Sequence, residues 1–172
     1  MPHLSEEQLR VRGYIQSQAA KLSVPQIIEK VRTDSAALRD AASAAAAIDS
    51  TRRPGSEHWS VNEVLAHLTD TCARVNGGIL GAIRHGEPAS ALEDRLQETN
   101  IVRSPIEWWE LLSSGREALF VQLGDVTGTE NLDVTWNHAF FGDLNWREWL
   151  LFLRLHDGDH ARQIQGIVAA LA

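Results

Sequence analysis

The sequence predicts an all-α protein, an antiparallel four-helix bundle with an additional short N-terminal helix. Three observations predict this class: five helix-start motifs, apolar residues that recur with a helical period, and short connections between most of the helices. The 172 residues, of which 44% are hydrophobic, are enough for one domain with its own core. We therefore expect residues 1–172 to form a single helical domain.

Each predicted helix begins at the pattern Ser/Asn-x-x-Glu/Gln, in which two residues cap the helix start reciprocally. The leading helix spans Ser5 to about Ala20, and a second, alanine-rich helix spans Ser23 to about Ile48. The next two span Ser60 to about Arg84 and Ser104 to about Leu123. The last helix runs from Asn145 to about Leu171.

The connection from Gly124 to Leu144 is the long one, with 21 residues and several aromatic side chains. It contains one strand signal, "NLDVTW" (Asn131–Trp136). A connection this long usually folds over something, so we expect Trp136 and His138 to cover a pocket. The alternative is that His138 only packs against its aromatic neighbours.

Composition narrows the function classes. The net charge is −7 and the basic residues are scattered, which argues against a nucleic-acid partner. No apolar run approaches the roughly 18 residues that a membrane span requires. The polar start does not resemble a signal peptide, and the single cysteine, Cys72, fits a reducing compartment. We expect a cytoplasmic protein without a membrane partner.

The stretch "HDGDH" on the last helix places two histidines on a buried face. Steps of about 100° per residue put His156 and His160 on the same side as Leu153. The two rings then lie one turn apart, about 6 Å along the axis, close enough to reach one ion. Asp157 also falls on the inner side, and such a polar cluster is costly to bury without partners. The last helix alone leaves two interpretations open: a metal site, or a core in which the histidines bond to the backbone or to Asp157.

A third histidine favours the metal site. In "HWSVNEVLAHLTD", His67 lies at the edge of the apolar stripe of its helix, so three imidazoles face a common interior. Three nitrogen ligands with an open position are typical of a catalytic metal site rather than a closed structural one. Asp157 would orient an imidazole or a metal-bound water, or accept a proton. The alternative for Asp157 is a buried carboxylate paired with Arg162 or with a backbone N–H.

Two segments resemble the DinB-like family of four-helix-bundle metalloproteins. They are "WSVNEVLAHLTD" (Trp59–Asp70) and "LNWREWLLFLRLHDGDHARQI" (Leu144–Ile164). The similarity runs from about Val24 to Leu171, so the leading helix, residues 1–22, lies outside the well-matched part. The resemblance implies one divalent metal ion per chain, zinc or nickel, held by His67, His156 and His160. It also implies a homodimer.

Relatives in this family include thiol-dependent S-transferases and mycothiol-dependent isomerases. The resemblance therefore implies a metal-dependent thiol S-transferase that uses a low-molecular-weight thiol cosubstrate and acts on a small electrophile. Two alternatives remain. A metal-dependent hydrolase is one, because "HDGDH" resembles the zinc-peptidase motif H-E-x-x-H with Asp157 in place of the glutamate. A non-catalytic, metal-binding stress-response domain is the other.

Overall fold

A computed structural model describes residues 4–92 and 99–172. This part of the chain is mostly helical. Its elements in chain order are α1 (Glu6–Lys21), α2 (Val24–Asp34), α3 (Ala36–Ala45), α4 (Val61–His85), α5 (Pro105–Gln122), β1 (Thr135–His138), β2 (Gly142–Asn145) and α6 (Trp146–Leu171).

All five predicted helix starts are confirmed. Ser5, Ser23, Ser60, Ser104 and Asn145 each occupy the N-cap of a helix, and each forms a complete capping box with the Glu or Gln three residues later. The reciprocal bonds satisfy N–H groups that the first turn of a helix leaves without partners. These short motifs therefore set the position of every helix that carries the site.

The prediction of a single helix from Ser23 to about Ile48 is wrong. The structure has two helices, which meet at Ser35, and the second ends at Ala45. The Ser35 hydroxyl lies 2.7 Å from the carbonyl of Val31, four residues earlier, and this arrangement bends helices. The same oxygen also bonds to side chains of α5 and α6, so contacts that are distant in sequence help to fix the break.

The connection between α5 and α6 contains a β-hairpin, so the fold is mostly helical rather than purely α. Strand β1 pairs antiparallel with β2, and Trp136 lies opposite Leu144 on the buried side. The predicted strand signal overlaps this hairpin only at Thr135 and Trp136. Strands of four residues are too short to show a clear alternation in the sequence.

Helix α6 is the central element, with contacts to α1, α2, α3 and α4, while α5 packs on α3 and α4. The core falls into two apolar clusters, one around the first half of α6 and one around its second half. Three buried polar side chains, those of Ser35, Arg116 and Asp157, lie at the level where the two clusters meet. Within the described ranges, no helix combines the length and apolar character needed to cross a membrane.

Candidate metal centre

Three histidines from two helices converge at one point. His67 comes from the first half of α4, and His156 and His160 come from successive turns of α6. One ring nitrogen of each lies within 4.8 Å of the other two. The Nε2 atoms of His156 and His160 are 3.1 Å apart. The predicted proximity of these three residues is therefore found in the structure.

Neighbouring side chains fix the orientation of these rings. His160 Nδ1 lies 2.7 Å from Oε1 of Gln163, and in the tautomer with the proton on Nδ1 this contact is a hydrogen bond that leaves the Nε2 lone pair towards His156. The indole of Trp59 contacts the edge of His67, at 5.2 Å between ring centroids, and stacks near His160 at 6.3 Å. Outer contacts of this kind hold a metal-binding imidazole in one tautomer and one orientation.

The surroundings of His156 favour its neutral imidazole. Burial lowers the pKa of His156 well below its usual value, and the charges of His160, His67 and Arg116 lower it further. His67 is 5% exposed, while His156 and His160 are half-buried. A neutral imidazole is the form that binds a metal ion, so protons compete weakly for His156.

The donor set fits a divalent ion. In a tetrahedral zinc site with Zn–N bonds of about 2.0–2.1 Å, two ligand nitrogens lie about 3.3 Å apart. The 3.1 Å separation of the His156 and His160 Nε2 atoms matches this, and His67 offers the third nitrogen. His67, His156 and His160 could therefore hold a metal ion with a position left open.

Asp157 follows His156 in the chain but points away from the imidazoles. It is fully buried, and its carboxylate accepts hydrogen bonds from Arg116 Nη2 (3.0 Å) and Ser35 Oγ (2.6 Å). Burial alone would lower the pKa of Arg116, but the ion pair with Asp157 raises it, so the guanidinium stays charged. Arg162, the partner considered from the sequence, pairs with Asp159 instead. A role for Asp157 in orienting an imidazole or accepting a proton stays a prediction.

A pocket of about 610 Å³ opens beside the three histidines. His138 lies in its wall, where its ring packs on Phe141 and Phe152 with centroids 4.7 and 4.4 Å away. Trp136, expected with His138 to cover the pocket, is 3% exposed and stacks on Trp149 at 5.3 Å. Trp136 thus supports the hairpin from the core side, and His138 forms part of the pocket surface.

Sequence reasoning missed several residues that shape the site. Gln163 is one turn beyond His160, and the i, i+3 spacing could have identified it. Trp59 directly precedes the N-cap of α4, and its indole contacts two of the three imidazoles. Arg116 and the α1 residue Val11, which lines the pocket, carry no signal in the sequence because their contacts are long-range.

Fold and site together define a mostly helical protein with a three-histidine group that could hold a metal ion. A family model described as the DinB superfamily matches residues 4–164, so the chain belongs to the DinB superfamily. The matched range includes α1. Comparison with curated proteins gives no match.

Proposed function

We propose that this protein is a metal-dependent thiol S-transferase that acts on small, partly apolar electrophiles. One observation carries the proposal: three imidazoles converge on the wall of a pocket large enough for a small molecule. Zinc or nickel is the proposed ion, since imidazole suits both. A metal-binding domain without activity would not need a substrate-sized pocket at its ligands.

His67, His156 and His160 would hold the divalent ion through uncharged ligands, and the ion would then supply a 2+ charge that lowers the pKa of a nearby thiol or water. The residues of the chain would determine the charge around the ion and the path of the released proton. His67, His156 and His160 supply no negative charge that would weaken this effect. The half-buried His156 and His160 leave access to solvent, which can take up the proton.

In the proposed transfer, the S–H bond of the thiol breaks and its proton passes to water at the mouth of the pocket. The sulfur electron pair forms a new S–C bond with the electrophilic carbon, and the leaving group departs with the electrons of the bond that breaks. The aromatic side chains beside the histidines would hold the electrophile and limit the access of water.

Asp157 would act by holding α6 in place. Both of its carboxylate oxygens accept hydrogen bonds, and its side chain is fully buried. A proton taken up there would break the ion pair with Arg116, which is costly inside a protein. This arrangement supports a positioning role more than a role as a base.

The architecture expected from the sequence belongs to the same proposal. We infer that α2 with α3, α4, α5 and α6 form an antiparallel four-helix bundle, with α1 as the additional helix. The contacts of α6 with α3 and α4, and of α5 with α3 and α4, support a closed ring of four helical segments. A homodimer is proposed on the family resemblance alone, and sedimentation at micromolar concentration tests it.

Activity assays test the proposed reaction. The metal-loaded protein is mixed with a small bacterial thiol and the generic electrophile 1-chloro-2,4-dinitrobenzene, with and without a chelator. Thiol transfer is supported if the chelator abolishes conjugation. His156→Ala should then lose conjugation, and the exposed His85→Ala should retain it. Metal-dependent ester hydrolysis without a thiol would indicate a hydrolase instead. Inactivity in both assays with metal bound would indicate a binding domain.

A further inference from the structure

The pocket beside the histidines has a continuous wall of ring side chains. We call His138, Phe140, Phe141 and Phe152 the aromatic wall. His138 contacts Phe141 and Phe152, and Phe152 reaches His156 at 5.2 Å between centroids. The wall therefore runs from the tip of the β-hairpin to one of the proposed metal ligands.

The first half of helix α1 lines the same pocket. Val11 and the first residues of α1 line the pocket, while Ile15 and Ala19, further along, are buried in the core. Arg12 Nη2 donates a hydrogen bond to the carbonyl of Asp143 on β2, at 3.4 Å, which links α1 to the hairpin. The start of α1 is thus attached to the protein at the position of the pocket.

The exposure and charge of the lining residues indicate which class of ligand the pocket can bind. Phe140 is 44% exposed at the pocket, an apolar surface that a ligand would cover. The pocket-lining residues in the described part of the chain include the carboxylates Glu7 and Asp159 and no Lys or Arg. Away from the three histidines, an anionic group would lack a counter-charge, so the lining there favours an uncharged or cationic group.

We propose that the aromatic wall is a binding subsite for a flat, uncharged aromatic group, and that it selects the ligand whose polar group reaches the three histidines. The inference rests on the proposed function, because it places the rest of that ligand at the metal centre. Aromatic rings of a ligand pack face-to-face or edge-to-face on Phe and His rings of this kind. Val11 closes the subsite on the α1 side.

The test compares two chelators that differ only beside the metal-binding group. Benzohydroxamate carries a phenyl ring where acetohydroxamate carries a methyl group. With the zinc-loaded protein, calorimetry should show that the phenyl compound binds at least about tenfold more tightly than acetohydroxamate, after correction for the ratio of their affinities for free zinc. Phe140→Ala/Phe141→Leu should abolish that preference and leave the affinity for acetohydroxamate unchanged. Val121→Ala, at a position on α5 that is 78% exposed, is the matched control and should keep the preference.

The inference would be overturned if the protein preferred the phenyl compound no more than free zinc does. It would also be overturned if the preference survived in the double variant. A second measurement separates this failure from that of the proposed function. In the metal-free protein, saturation-transfer NMR with benzyl alcohol should show binding to the wild type that the double variant loses. Equal saturation in both proteins would overturn the subsite. If neither zinc nor nickel binds, the proposed function fails, and the NMR measurement still decides the subsite.

Discussion

Arg116 on α5 and Asp157 on α6 form a two-point ion pair inside the protein, with Nη1 to Oδ2 at 2.5 Å and Nη2 to Oδ1 at 3.0 Å. Ser35, at the break between α2 and α3, bonds to both partners. The pair therefore joins three parts of the chain at the level where the two apolar clusters meet. Since Asp157 follows His156, this network also holds the turn of α6 that carries the proposed ligands.

Removal of the Arg116 charge should destabilise the protein strongly. Arg116→Met leaves a fully buried carboxylate without its counter-ion, which costs about 3–5 kcal/mol of unfolding free energy. Arg162→Met removes the cation of an ion pair whose side chains are each 71% exposed, and it should change stability little. Urea unfolding of both variants measures the difference. Equal stabilities of the two variants would contradict a structural role for the buried pair.

Two adjacent glycines of α4 should respond oppositely to alanine. A Cβ at Gly78 would lie 2.8 Å from Ala89 Cβ and 3.1 Å from Trp136 Cζ2, so Gly78→Ala should cost about 1–3 kcal/mol. A Cβ at Gly77 meets no atom within 4 Å, so Gly77→Ala should stabilise the helix by about 0.5–1 kcal/mol. Thermal unfolding of the two variants checks the signs. Stabilisation by Gly78→Ala would mean that Trp136 does not pack against α4 as described.

Glu130 should make stability depend on acid pH. Burial acts to raise the pKa of Glu130, but hydrogen bonds from Thr127 and from the backbone N–H of Gly128 outweigh it and lower the pKa to about 2. The lowered pKa means that the ionised carboxylate stabilises the fold fully above its usual pKa of about 4.3. This contribution disappears as the pH falls towards about 2.

The stability difference between wild type and Glu130→Gln should therefore be largest near neutral pH and should shrink as the pH falls. Chemical unfolding at a series of pH values measures it. Thr127→Val, which removes one of the donors, should lose part of the same dependence. A difference that does not change with pH would refute the assignment.

Local signals in the sequence predicted most of the helices and the convergence of the three histidines. Capping boxes act within four residues, so all five helix starts could be read, and i, i+4 spacing placed His156 beside His160. The break at Ser35 could not be predicted, because it depends on Arg116 and Asp157, which are 81 and 122 residues away. Most of the hairpin could not be predicted from the sequence, because its strands are short and Trp136 is packed by long-range contacts.

The central measurement is the metal content of the protein and of its histidine variants. Protein purified without an affinity tag and loaded with zinc should bind one ion per chain, measured by elemental analysis and calorimetry. His67→Ala, His156→Ala and His160→Ala should each lose most of this binding, while the exposed His85→Ala should keep it. Full metal content in all three ligand variants, with unchanged folding, would contradict the proposed metal centre.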